Sequence, residues 1–105
     1  MILVLGGRYQ GKHEFVKKNF RSFDILEFDE LINDPDGVQG FIGRLSNDGN
    51  TDRTVVVANE NSSGIIPDDP EEIRFREDYN RELIRISEEA EEVYRVFCGI
   101  GMKIK

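Results

Sequence analysis

Apolar residues along this chain recur in two periods, and the alternation between them predicts the fold. Met1-Ile2-Leu3-Val4-Leu5 and Thr54-Val55-Val56-Val57-Ala58 are short continuous runs, and each predicts a strand buried on both faces. Phe23-Asp24-Ile25-Leu26-Glu27-Phe28-Asp29-Glu30 predicts another strand, ending in carboxylates, and Val93-Tyr94-Arg95-Val96-Phe97-Cys98 a late one, broken by Gly99-Ile100-Gly101 before Met102-Lys103-Ile104-Lys105. Between these runs the period lengthens. Phe15, Val16 and Phe20 form a modest helical stripe with Lys17, Lys18 and Arg21 toward its far end, and Val38, Phe41, Ile42 and Leu45 fit i, i+3, i+4, i+7. Phe75, Tyr79, Leu83, Ile86, Ala90 and Val93 follow one face of a long helix ending near Glu91.

Punctuation supports these elements. Asp34-Pro35 and Asp69-Pro70-Glu71-Glu72 each place a capping acid before a proline at the first helical position. Gly37, Gly40 and Gly43 would each weaken the middle helix by about 1 kcal/mol relative to alanine, which predicts either close backbone approach or fraying. Ser46–Asp52 is a polar turn or loop. Strands alternating with helices predict parallel pairing and crossover connections.

The first strand runs into Gly6-Gly7-Arg8-Tyr9-Gln10-Gly11-Lys12-His13, which fits the phosphate-loop pattern Gly-x-x-x-x-Gly-Lys-Ser/Thr except at its last position. Two glycines after a strand also suffice as a plain turn. Lys12 argues for more, because a cation in the first turn of a helix is unfavourable unless an anion lies near. Gly6, Gly7, Gly11, Lys12 and His13 are therefore candidate nucleotide-phosphate ligands, with Arg8 a solvated loop residue. His13 replaces the hydroxyl that would help hold magnesium, and an imidazole is a poor ligand for that hard ion, so a magnesium requirement is in doubt. It is open to three roles: nucleophile, proton carrier, or a part-exposed helix residue without chemistry.

Further candidates sit where strands end. Glu27 and Asp29 would hold a metal directly or through water, or else cap the following helix. Asn59 and Glu60 follow the β-branched strand at a position suited to substrate contacts, although an asparagine satisfying its own loop backbone has the same signature. With the loop, the pattern predicts an α/β fold: a small, shortened P-loop-type three-layer sandwich with a mostly parallel sheet, residues 1–105 forming a single domain.

Composition narrows the partners. The formal charge of −7 argues against sequence-independent nucleic-acid binding and against an anionic membrane surface. The lone Cys98 cannot pair within the chain and reads as a small apolar strand residue, consistent with a reducing compartment. The first apolar run is too short for a secretory core and no run suits a bilayer, so the expectation is a cytoplasmic protein.

Three blocks of sequence resemble the adenosylcobinamide kinase/adenosylcobinamide-phosphate guanylyltransferase family: Ile2 to Lys12, Val55 to Pro67 with Asn59-Glu60 and Gly64-Ile65-Ile66-Pro67, and Gly99 to Lys105. Phe75-Arg76-Glu77 is similar to a Phe-Arg-Asp of that family. The resemblance implies nucleotide binding, with ATP or GTP as cofactor, phosphorylation of a cobinamide hydroxyl, and a homo-oligomer, a trimer. It places phosphates at Gly6, Gly7, Gly11 and Lys12, and puts Asn59 and Glu60 in the site. For a kinase, Lys12 would stabilise the transferred charge and Glu27, Asp29 or Glu60 would assist metal or proton transfer, which makes Lys12 and Glu60 the candidate catalytic residues. The chain departs from the family in length, in Tyr9 where the family has a loop arginine, and in Leu83-Ile84 where it has Asn-Gln. His13 is the single histidine and stands in the loop rather than at the family's guanylylated position, so an active chain is expected to be a kinase without guanylyl transfer. The alternative is a non-catalytic relative that binds a nucleotide or other anion, or serves assembly.

Overall fold

The computed structural model describes residues 1–47, 53–60 and 69–105. The two continuous apolar runs become β1 (Ile2–Gly6) and β3 (Thr54–Asn59), which pair in parallel at the centre of the sheet, Val4 opposite Val57. Their alternate residues face opposite ways. Leu3, Val56 and Ala58 enter one core with Phe28, Leu31, Val38, Phe41, Tyr79 and Ile86, while Ile2, Val4, Val55 and Val57 enter another with Val16 and Val96. Burial on both faces explains why these strands lack a polar alternation.

The connections build the layers. Helix α1 (Lys12–Asn19) follows β1 and leads to the edge strand β2 (Asp24–Glu27), then α2 (Phe28–Ile32) and α3 (Gly37–Asn47) precede β3. Helix α4 (Pro70–Glu89) crosses to β4 (Glu92–Phe97), which turns back into β5 (Ile100–Lys103). The sheet order is β2-β3-β1-β4-β5, all parallel except β5 against β4. Helix α1 covers one face, and α2, α3 and α4 cover the other. This is the expected α/β sandwich, with an antiparallel edge the pattern did not predict.

Four local expectations are corrected. Phe28, Asp29 and Glu30 leave the strand and begin α2, because Phe28 and Leu31 at i and i+3 are both buried and Phe28 meets Tyr79 edge-on, centroids 4.9 Å apart. Tertiary packing outweighs the β preference of the aromatic. The middle helix starts at Gly37, since Asp34 closes the preceding turn by accepting the Asp36 and Gly37 amides (3.0 and 2.9 Å). Helix α4 keeps its predicted start, with Asp69 accepting the Glu71 amide, but Ala90 ends it in extended conformation and Val93 belongs to β4; Phe75, placed on the stripe, is exposed. Arg81 pairs with Asp78 (3.2 Å) on the outer face of α4.

Cys98 is not a strand residue. Cys98 and Gly99 both have positive φ (51° and 77°) and form the two-residue connection of the β4–β5 hairpin, leaving the thiol exposed. Gly101 on β5 lies under the Phe15 ring, where a Cβ would come within 2.1 Å of the ring. Gly64-Ile65-Ile66-Pro67 and most of the Ser46–Asp52 stretch lie outside the described residues. No described helix is long and apolar enough to cross a membrane.

Candidate functional site

Adjacent strands β1 and β3 send their following helices to opposite faces of the sheet, which opens a crevice beyond their ends. Gly6 ends β1 in that crevice. A Cβ there would lie 2.8 Å from the Val96 carbonyl and 3.0 Å from the Lys12 side chain, so glycine is what lets the lysine stem pass. The turn continues through exposed Arg8 and Tyr9 to Gly11, whose φ of 85° starts α1 without a side-chain cap. Gln10 ties the turn to the hairpin: its carbonyl accepts the Gly99 amide and its side chain the Cys98 amide, both at 2.7 Å.

Lys12 does not extend into solvent. Its side chain folds back over the strand end, leaving the residue only 6% exposed, and its Nζ donates to the carbonyls of Gly6 and Gly7 (3.0 Å each) and to Asn59 Oδ1. Burial holds the ammonium below its usual pKa of 10.5, with the carboxylates of Glu27, Asp29 and Glu60 opposing that shift. The predicted phosphate lysine is thus a buried cation in an acidic surround.

Among the described residues, Asn59 bonds to partners far from it in sequence. Beyond the contact to Lys12, its Nδ2 donates to Asp29 Oδ2 (3.4 Å), and its backbone N–H donates to the Tyr79 hydroxyl (3.1 Å), which donates to Asp29 Oδ1 (3.0 Å). Burial pushes the Tyr79 phenol upward in pKa, and the bond to Asp29 acts in the same direction. Glu60 donates its N–H to the Gly6 carbonyl (3.0 Å) and pairs through its carboxylate with Arg95 Nε (3.0 Å). Sequence reasoning had Tyr79 as core and did not single out Gln10 or Arg95. A tyrosine in an otherwise apolar stripe was the available signal, since its buried hydroxyl must find a partner.

His13 Nε2 contacts Glu27 Oε1, with the two side chains 52% and 40% exposed. The structure therefore separates the two proposed metal acids: Glu27 engages His13, while Asp29 engages Tyr79 and Asn59. Magnesium, which the loop pattern implies, does not fit this donor set. An imidazole stands where a hydroxyl oxygen is needed, and it engages the Glu27 carboxylate. Among the described residues no three histidine, cysteine or acidic side chains are grouped to hold an ion.

Two clefts meet at the turn. One, about 810 Å³, is lined by Arg8, Gln10, Lys12, His13, Asn59 and Cys98 among others. The other, about 710 Å³, lies on the α4 side between Gly7, Asp29, Asn59, Glu60, Phe75 and Tyr79. Arg8, Gln10 and Asn59 border both.

Residues 38–104, well over half of the chain, match the family model described as cobinamide kinase / cobinamide phosphate guanyltransferase. The match takes in Asn59, Glu60, Tyr79 and the hairpin but starts after the Gly6–Lys12 turn. No curated protein matches the chain.

Proposed function

The chain belongs to the cobinamide kinase / cobinamide phosphate guanyltransferase family, and from that premise we propose that it binds ATP or GTP by the phosphates at the Gly6–Lys12 turn and phosphorylates a cobinamide hydroxyl. The observation that carries this reading is the buried Lys12 ammonium in the wall of the first cleft, bonded to Asn59, which borders both clefts. Phosphates fit the cleft beside the α1 N-terminus, where helix dipole and lysine both favour an anion. The acceptor fits the α4-side cleft, whose Phe75 ring is exposed for contact with an apolar part of a large substrate.

In the transfer, the acceptor oxygen bonds to the γ-phosphorus as the bond from that phosphorus to the β–γ bridging oxygen breaks, releasing the nucleoside diphosphate. Lys12 stabilises the charge on the transferred group, and Glu60, held in orientation by Arg95, takes the hydroxyl proton. Guanylyl transfer is left out, because the single histidine lies in the first turn of α1 and is engaged by Glu27. The exposed Phe97, Ile100, Met102 and Ile104 near the β5 edge give the expected homo-oligomer a surface.

Transfer of labelled γ-phosphate from ATP or GTP to cobinamide, present in the wild type and absent in Lys12→Ala, is the expected result. The second reading is a non-catalytic nucleotide- or anion-binding relative, favoured by the imidazole at the hydroxyl position. Calorimetry that finds nucleotide binding with no transfer selects it.

A further inference from the structure

An ammonium has three N–H donors, and the protein fills all three of Lys12's: with the Gly6 carbonyl, the Gly7 carbonyl and the Asn59 side-chain oxygen. A phosphate oxygen can therefore bond to Lys12 only by displacing one of these acceptors. The two carbonyls belong to the turn and are fixed by its backbone; the Gly6 carbonyl also accepts the Glu60 amide. The Asn59 side chain, from β3, is the acceptor that rotation alone removes.

What holds that side chain is defined by chemistry. Asp29 can only accept, so the Asn59 amide must turn its NH₂ toward Asp29 and its oxygen toward Lys12. Asp29 is fixed in turn by the Tyr79 hydroxyl, which also takes the Asn59 backbone N–H. Tyr79 is itself buried against Phe28.

The geometry points to Asp29 and Tyr79 as positioning residues that hold the Asn59 oxygen on Lys12, so that Asn59 competes with an incoming oxyanion and tunes the site toward the more highly charged phosphates. Pyrophosphate, with more charge to offer the lysine, displaces the amide readily, whereas orthophosphate does so poorly. This rests on the reading of the Gly6–Lys12 turn as a phosphate seat.

Calorimetric titration of the wild type, Asn59→Ala, Asn59→Asp and Asp29→Asn with inorganic pyrophosphate and with orthophosphate tests it, thermal melts confirming that each variant folds. Removing the competing oxygen in Asn59→Ala tightens pyrophosphate about tenfold and narrows its preference over orthophosphate, as expected for one hydrogen bond to a charged group. Asp29→Asn, which can donate to the amide oxygen and let it turn away, moves affinity the same way by severalfold. Asn59→Asp, a stronger competitor with a negative charge, weakens pyrophosphate by more than tenfold.

If Asn59→Ala weakens pyrophosphate or leaves it unchanged while the wild type binds, Asn59 is an anion contact or a bystander and the inference is overturned alone. Should that variant not fold, the direction of change in Asp29→Asn decides in its place. A wild type that binds neither pyrophosphate nor any nucleotide overturns the phosphate-seat reading and the inference with it.

Discussion

The two sides of the Gly6–Lys12 turn hold their polar groups in opposite ways. Toward α4, Lys12 joins Asn59, Asp29 and Tyr79 in a connected network around two buried residues, Lys12 and Tyr79, with contacts that span four separate segments of chain. On the α1 side, His13 and Glu27 make one pair, and both remain substantially exposed. Neighbouring residues of one helical turn thus meet different physics: a buried donor without its acceptor costs the full desolvation penalty, whereas an exposed pair is mostly compensated by water. The α4 side should accordingly dominate affinity and stability, and the α1 side should govern how a metal affects the bound anion.

The sharpest way to break this comparison is Lys12→Ala. Loss of the buried cation should weaken nucleotide binding by on the order of a hundredfold in calorimetry, as for the loss of hydrogen bonds to a charged ligand. A change of less than threefold would place the anion elsewhere. Next in size is Tyr79→Phe, which keeps the ring against Phe28 but removes the donor to Asp29 and the acceptor for the Asn59 amide. It should destabilise the fold by about 2 kcal/mol in denaturant unfolding.

His13→Ser probes the other side. It should cost less than about 1 kcal/mol in stability, as an exposed pair does, and it should make nucleotide affinity rise severalfold on adding magnesium, where the wild type shows little response. Equal magnesium responses in both proteins would remove the misfit argued for this position. The smallest effect is in pH. Because burial lowers the Lys12 pKa in the folded state relative to 10.5 in the unfolded chain, the unfolded state binds more protons between those two values. Stability from this group should therefore rise as pH climbs through that window, and an NMR titration of the Nζ should show the pKa moving back up when an anion binds.

Much of the fold was legible because it depends on local pattern. The Val55–Ala58 run, the Asp69-Pro70 start of α4 and the Gly11-Lys12 entry to α1 each follow from burial or capping rules acting over a few residues. Boundaries failed where a distant contact decided them. Phe28 has strand-like character but turns into α2 to reach Tyr79, and Cys98 looks like the end of an apolar strand but forms a hairpin connection tied to Gln10. The site followed the same division. Lys12 was legible at the entry to α1, and Asn59 and Glu60 at the end of β3, while the orientation of each side chain came from partners far away in sequence.

By itself the amino-acid order determined an alternating α/β chain with a glycine-lysine turn after its first strand, since hydrophobic period and turn chemistry are short-range properties. Tertiary structure alone decided that Lys12 would be folded back and filled by three acceptors, that Asp29 would face Tyr79 while Glu27 faced His13, and that β5 would run antiparallel. Those outcomes depend on which buried polar groups the packed sheet and helices bring within hydrogen-bond reach, and burial makes leaving any of them unpaired too costly.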